Sequence, residues 1–223
     1  MIQIFENFTS DFYKEDLQAA VFGSDLTWVR HEETAGGYNG NYAWIDDKNT
    51  EESNLFVLKP NKHEKEIISF VPLIYRIQDL VGHRIYVDRI KLNLMLPKVK
   101  LNPQSYNRPH IDHTLPYSKT LIYYVNDSDG DTYFFDKTYT GENPGELNVI
   151  EKITPKAGSA VLFDSYRYHA SSIPTIDKRS VVNIIFWSMN EHLQRSSQGT
   201  PFSPLPETFL DTKQIKNFFT KQK

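Results

Sequence analysis

Three residues could together hold a divalent metal: His110 and Asp112, one residue apart, and His169 much further along. On a strand, residues i and i+2 point to one side, so the imidazole and carboxylate of His110-Ile-Asp112 would face a common point. Alone, the pair says little. With seven His and fifteen Asp in the chain, one chance His-x-Asp is about as expected as not. Position sorts the other histidines. His31 and His63 lie in charged surroundings, His83 follows Gly82, and His192 sits in a polar tail. His113 would face away from His110 on a strand. His169 differs, because it follows the strand-like Ala160-Val-Leu-Phe163. A strand 160–163 beside a strand 106–112 would bring it to the other two.

Two His and one carboxylate on one face leave open coordination positions, which suits a non-haem iron oxygenase and also a zinc hydrolase. Arg179 bears on that choice. It opens the apolar run Ser180-Val-Val-Asn-Ile-Ile-Phe-Trp187. A guanidinium entering a buried strand cannot lose its proton, so it needs an anionic partner. A cosubstrate carboxylate would satisfy it bidentately; a structural Asp is the alternative.

The elements that must position these residues are mostly strands. Ile2 to Phe8, Leu26 to Val29 and Leu55 to Leu58 are short strand candidates, and Thr9-Ser10-Asp11 can cap a helix running to about Ala20. Ile67, Phe70, Ile74, Ile77 and Val81 recur at helical steps. Pro72 requires either a break or a helix starting near Ser69 with the proline in its first turn, and Gly82 ends it. From Ile85 the pattern turns to strands: 85–96, 106–112, 120–125, 132–135, 147–153, 160–163 and 180–188. Asp127-Ser-Asp-Gly-Asp131 reads as a hairpin turn, since it lacks the glycine position and the twelfth-position Glu of a calcium loop. Helices early and many strands later predict a mostly β fold, a double-sheet barrel with flanking helices. Residues 191–206 are polar, and a last helix is expected over 207–219. The glycine-rich segment 36–42 has no Lys-Ser/Thr for phosphate, and its Tyr38 and Tyr42, with Trp44, could wall a substrate site.

Composition excludes several classes. Among 223 residues, 39% are hydrophobic and 13% aromatic, which is globular and strand-prone. A net charge of −3 gives no basic face for duplex nucleic acid. With no cysteine there is no disulfide and no thiolate ligand, so a metal must be held by His and carboxylate. No apolar run is long enough to span a bilayer, and the first residues lack the pattern of a signal peptide, so a cytoplasmic protein is expected.

In order and spacing, His110-x-Asp112, His169 and Arg179 resemble the signature of the Fe(II)- and 2-oxoglutarate-dependent dioxygenases, nearest to prolyl-4-hydroxylase-like members. Ile122-Tyr-Tyr-Val-Asn126 is similar to the strand whose second Tyr, here Tyr124, contacts the far carboxylate of 2-oxoglutarate. Asp129-Gly-Asp-Thr-Tyr-Phe134 stands where the family carries Gly-Gly-x-Thr/Leu-x-Phe, with Asp129 replacing the first Gly. Pro155-Lys-Ala-Gly-Ser-Ala-Val-Leu-Phe163 is similar to the family's lead into the distal His. The resemblance covers about residues 85–190. It implies a double-stranded β-helix, or jelly-roll, barrel with its core at about 84–190. Residues 1–83 would pack on that core and 191–223 would form a tail, all within one domain.

It further implies Fe(II) on His110, Asp112 and His169, 2-oxoglutarate on Tyr124 and Arg179, O2 as cosubstrate and ascorbate as an optional reductant. Asn183 or Ser180 stands where a further cosubstrate contact is made. Tyr106 or Asn107 stands nearest to the Tyr that prolyl hydroxylases carry upstream. The expected activity is hydroxylation of a small molecule or of a peptidyl side chain such as a prolyl residue, with no membrane partner. The selecting loops would be 32–53, 100–108 and 137–146. A cupin-like metal-dependent isomerase or hydrolase, and a barrel that binds without turnover, are the competing readings.

Overall fold

The computed structural model describes residues 1–23, 26–31, 48–51, 55–58 and 68–190. The chain divides into two compact units, Met1–Ser188 and Met189–Lys223. Of the second, only Met189 and Asn190 fall among the described residues. The glycine-rich segment with Tyr38, Tyr42 and Trp44 lies outside them, as do the helix expected over 207–219 and residues His63 and His192.

The first unit opens with strand β1 (Ile2–Phe5) and helix α1 (Asp11–Phe22), for which the Ser10 side chain accepts from the Tyr13 N–H as N-cap. Short strands β2 (Val29–His31) and β3 (Leu55–Leu58) follow. Helix α2 (Val71–Val81) takes the second of the two arrangements expected of Pro72, with the proline in its first turn. It ends at Gly82, whose φ of 74° is the left-handed conformation a helix C-terminus favours. Its stripe is buried at Leu73, Ile74 and Ile77. The strands that follow are β4 (Ile85–Met95), β5 (Lys119–Tyr124), β6 (Thr132–Thr138), β7 (Val149–Ile153), β8 (Ala160–Asp164), β9 (Arg167–Ser171) and β10 (Arg179–Ser188).

These strands make two antiparallel sheets. The larger has seven strands in the order β1-β8-β5-β10-β4-β3-β2, and the smaller has three in the order β7-β6-β9. They face each other through Ile122, Tyr124, Val161, Phe163 and Val181 of the larger sheet and Phe134 and Ile153 of the smaller. The other face of the smaller sheet buries Tyr133, Phe135 and Tyr168 with Tyr106 and Ile111. This is the mostly β, double-sheet jelly-roll barrel with flanking helices. Helix α1 is tied to the end of β5 by Gln18 Nε2 donating to the Val125 carbonyl at 2.7 Å. Helix α2 is tied to the segment after β1 by Arg76 Nε donating to the Phe8 carbonyl at 3.1 Å. No helix among the described residues is long and apolar enough to cross a membrane.

Four local expectations differ from the structure. Residues 106–112 do not form a regular strand, because Pro109 has no N–H. Their backbone bonds instead reach single points: Asn107 N to Ser171 O, His110 N to His169 O and Asp112 N to Ser165 O. Strand β8 therefore lies between β1 and β5, not beside 106–112. The partner of that segment is β9, a strand whose polar Arg167-Tyr-His-Ala-Ser171 hid it in the sequence. Second, the turn 127–131 is no hairpin, since β5 and β6 belong to different sheets and the turn carries the chain between them. Asp129, in place of the first turn glycine, accepts from the backbone N–H groups of Thr175 and Ile176 and pins the turn there. Third, β2 begins at Val29, where the expected strand ended. Fourth, β1 stops at Phe5, before Asn7 turns to a φ of 53°.

Leu73 is 0% exposed and Phe12 is 82% exposed. Leu73→Ala should therefore cost about 2–5 kcal/mol, whereas Phe12→Ser should stay within about 0.5 kcal/mol of wild type. Chemical denaturation of both variants checks the contrast.

Candidate active site

The site lies where the irregular segment 106–112 meets β9. His110 and His169 exchange backbone hydrogen bonds in both directions, each 2.9 Å. That pairing sets their rings side by side, with centroids 4.5 Å apart. Each imidazole Nδ1 lies 3.0 Å from the carbonyl oxygen two residues before it, of Arg108 and of Arg167. A carbonyl only accepts, so each Nδ1 carries a proton, and Nε2 is the ring atom left to bind a metal. This backbone contact fixes both tautomer and ring orientation, as metal-bound imidazoles require. Burial and the neighbouring His169 push His110 down to about 3, so it is neutral in ordinary conditions.

Asp112 completes the cluster. Its backbone N–H donates to the Ser165 carbonyl at 2.9 Å, which anchors the end of the irregular segment. One carboxylate oxygen, Oδ2, lies 3.5 Å from His169 Nε2 and accepts from Asn183 Nδ2 at 3.1 Å. The other, Oδ1, accepts from Arg89 Nη2 at 3.2 Å. Burial opposes ionisation, but His169, Arg89 and His110 outweigh it and hold the carboxyl below its usual range. One ligand atom from each of His110, Asp112 and His169 falls within 4.8 Å of the others. Two imidazoles with Nε2 turned to a common point and one ionised carboxylate are a donor set that fits a divalent first-row metal.

A second polar group sits further along the same face of β10. Arg179, Val181 and Asn183 alternate to one side of the strand, and Tyr124 of β5 is paired with Val181. Arg179 is 4% exposed. Its Nε donates to the Gly130 carbonyl at 2.7 Å and its Nη2 to Thr132 Oγ1 at 2.9 Å. Among the described residues no carboxylate comes within ion-pair distance of it, and burial lowers its affinity for the proton. Tyr124 is buried, and burial pushes its hydroxyl up to about 12, so it stays protonated. It donates to Thr132 Oγ1 at 2.9 Å. That oxygen accepts from both Tyr124 and Arg179, so the Thr132 hydroxyl proton is left to point at a further acceptor. Gly130 permits the approach: a Cβ there would lie 2.9 Å from Arg179 Cδ and 3.0 Å from the Ser172 carbonyl.

The structure thus brings His110, Asp112 and His169 together, and joins Tyr124 to Arg179. It places Asn183 on Asp112, and its Oδ1 is buried without a hydrogen-bond partner. Ser180 instead donates to the Asn93 carbonyl. The Asn107 amide is taken up by the carbonyl and hydroxyl of Ser171, and Tyr106 packs on Tyr133 and Phe135. Sequence reasoning missed Thr132 and Arg89. Thr132 was legible in the Gly-x-Thr-x-Phe of 130–134; for Arg89, on a strand of alternating polar residues, there was no signal.

No family model matches the chain, and no curated protein matches it. Solved structures do. The non-haem alpha ketoglutarate (2-oxoglutarate) dependent epimerase SnoN of nogalamycin biosynthesis aligns at a TM-score of 0.58 and 13% identity, covering 84% of this chain and 78% of that one. An oxidoreductase of the 2OG-Fe(II) oxygenase family from Burkholderia pseudomallei aligns at 0.54 and 13%, covering 83% and 84%. A Trichoplax adhaerens prolyl hydroxylase, solved with a peptide fragment of the hypoxia inducible factor, aligns at 0.54 and 13%, covering 86% of each chain. At such identities the likeness is one of fold. The chain folds as these enzymes do.

Proposed function

We propose that the protein is an Fe(II)- and 2-oxoglutarate-dependent dioxygenase that hydroxylates a C–H bond of a small molecule or a peptidyl side chain. One observation carries the reading. The barrel joins a convergent His-Asp-His set to a buried arginine with no carboxylate within ion-pair distance among the described residues, Asp131 acting on it only from further off. A buried guanidinium cannot discharge itself, so it needs an anion. Arg179 and Asn183 stand four residues apart on β10, about 13 Å between Cα atoms at strand spacing. A long arginine side chain, a short dicarboxylate and a metal bond fill such a span.

His110 Nε2, Asp112 and His169 Nε2 would hold Fe(II), and Arg179, Tyr124 and Thr132 would hold the far carboxylate of 2-oxoglutarate. Bound Fe(II) and 2-oxoglutarate supply the activation of O2, coupled to decarboxylation to succinate and CO2, that oxidises a substrate C–H bond. The chain's own residues orient and insulate. The Arg108 and Arg167 carbonyls fix the imidazoles, and Asn183 and Arg89 fix Asp112. Two of the five N–H groups of Arg179 are spent on Gly130 and Thr132, which aims the remainder. Phe163 and Phe134 pack near the His169 ring and keep that side dry. The other solved relatives, an epimerase among them, show that this fold serves several outcomes, so hydroxylation is the part of the reading that product analysis must test. A metal-dependent isomerase or hydrolase that uses no 2-oxoglutarate would leave Arg179 without a carboxylate at ion-pair distance, answered only by Gly130, Thr132 and the more distant Asp131.

Anaerobic addition of Fe(II) and then 2-oxoglutarate should raise a visible metal-to-ligand charge-transfer band that His110→Ala and Asp112→Ala lack. Wild-type protein that binds iron yet never develops the band would falsify the assignment. Arg179→Ala should weaken 2-oxoglutarate binding by about 2–5 kcal/mol while leaving iron binding nearly intact; equal loss of both in calorimetry marks Arg179 as structural. Gly130→Ala should weaken 2-oxoglutarate in the same direction by displacing Arg179, and a variant with unchanged affinity would show that the seat adjusts freely.

A further inference from the structure

A carboxylate beside a metal binds through one oxygen or through both. In Asp112, Oδ2 is the oxygen turned toward His169 Nε2, at 3.5 Å. Oδ1 is turned to Arg89, with Nη2 at 3.2 Å. Among the described residues, Asp112 is the hydrogen-bond partner of Arg89, whose Nε is buried without one. Arg89 stands at an irregularity of the sheet. Ile185 pairs with Arg89 but Phe186 pairs with Val87, so Asp88 is an extra residue on β4. Such bulges re-aim a side chain, and this one adjoins the residue that reaches Asp112.

Arg89 is a poor device for metal affinity. A guanidinium one hydrogen bond from a ligand carboxylate repels the metal and competes for the carboxylate. A neutral donor would serve affinity better. What a cation at Oδ1 does serve is denticity. Three single-atom ligands leave three of six octahedral positions, and a two-point cosubstrate takes two of them. The last stays open only while Asp112 binds through Oδ2 alone.

We propose that Arg89 is a positioning residue that holds Asp112 to one-oxygen ligation and so keeps a coordination position open. The inference rests on the metal site proposed above. Its test uses Arg89→Met, of similar length without charge, and Arg89→Lys. Mn(II) affinity is measured by calorimetry, and nitric oxide, standing in for O2, is titrated into the anaerobic Fe(II)/2-oxoglutarate form and followed by electron paramagnetic resonance. Arg89→Met should bind Mn(II) at least as tightly as wild type yet lose roughly 10- to 100-fold in nitric oxide affinity. Arg89→Lys should retain most of it. Unchanged nitric oxide binding in Arg89→Met overturns the inference, as does parallel loss of Mn(II) and nitric oxide, which makes Arg89 a general support. If Arg89→Met does not fold, Arg89→Gln, shorter and uncharged, is read by the same criteria. Wild-type protein that takes neither Mn(II) nor 2-oxoglutarate sinks the proposed function instead, so the two failures are distinguishable.

Discussion

Two backbone hydrogen bonds, His110 N–H to the His169 carbonyl and the reverse, set the geometry on which the site depends. A hydrogen-bonded antiparallel pair fixes its two Cα atoms at about 5.5 Å. The imidazoles are thus neighbours because of the backbone, not through any attraction between them. Their tautomers follow from the same backbone, through the Arg108 and Arg167 carbonyls. Asp112 needs only two more residues and one bond to Ser165 to arrive beside them. Little side-chain entropy is left to lose when the cluster takes a ligand.

The two sheets divide the labour. The smaller supplies His169 and Thr132, and the larger supplies Tyr124, Arg179, Asn183 and Arg89. Asn126, just past β5, keeps the second group in register, because its side chain bonds the Lys178 carbonyl and the Ser180 N–H on either side of Arg179. A misplaced arginine would be costly at this depth, since a buried charge must be met by oriented partners. Gly130 and Thr132 provide two of them from across the barrel.

Much of this was legible in the residues. His110, Asp112, His169, Tyr124 and Arg179 stand at spacings that the structure converts into proximity. The strands of the second half appear within a few residues of where alternation put them, since a half-buried strand writes its period directly. Long-range pairing left no such trace. The segment 106–112 has strand-like composition, but Pro109 breaks its ladder and its bonds are made to β9, far along the chain. Strand β9 is short and polar because two of its residues serve the site or its support. The 127–131 turn has hairpin residues, yet the Asp129 carboxylate commits it to the 174–176 loop. Arg89 could not be separated from an ordinary exposed strand arginine until Asp112 was seen beside it.

The bond between Asn183 and Asp112 joins residues 71 positions apart, and His169 likewise meets His110 and Asp112 only through contacts between distant residues. Contacts so distant in sequence form late, after the loop-closure entropy of the barrel has been met. Helices and local strands can be present in a partly folded chain while the three ligand atoms are still scattered. If the proposed iron chemistry holds, such a chain would offer no assembled site at which the metal could react with oxygen beside an unprotected backbone. Under the proposed function the topology doubles as a safeguard: the capacity for oxidation would arrive only with the walls that confine it.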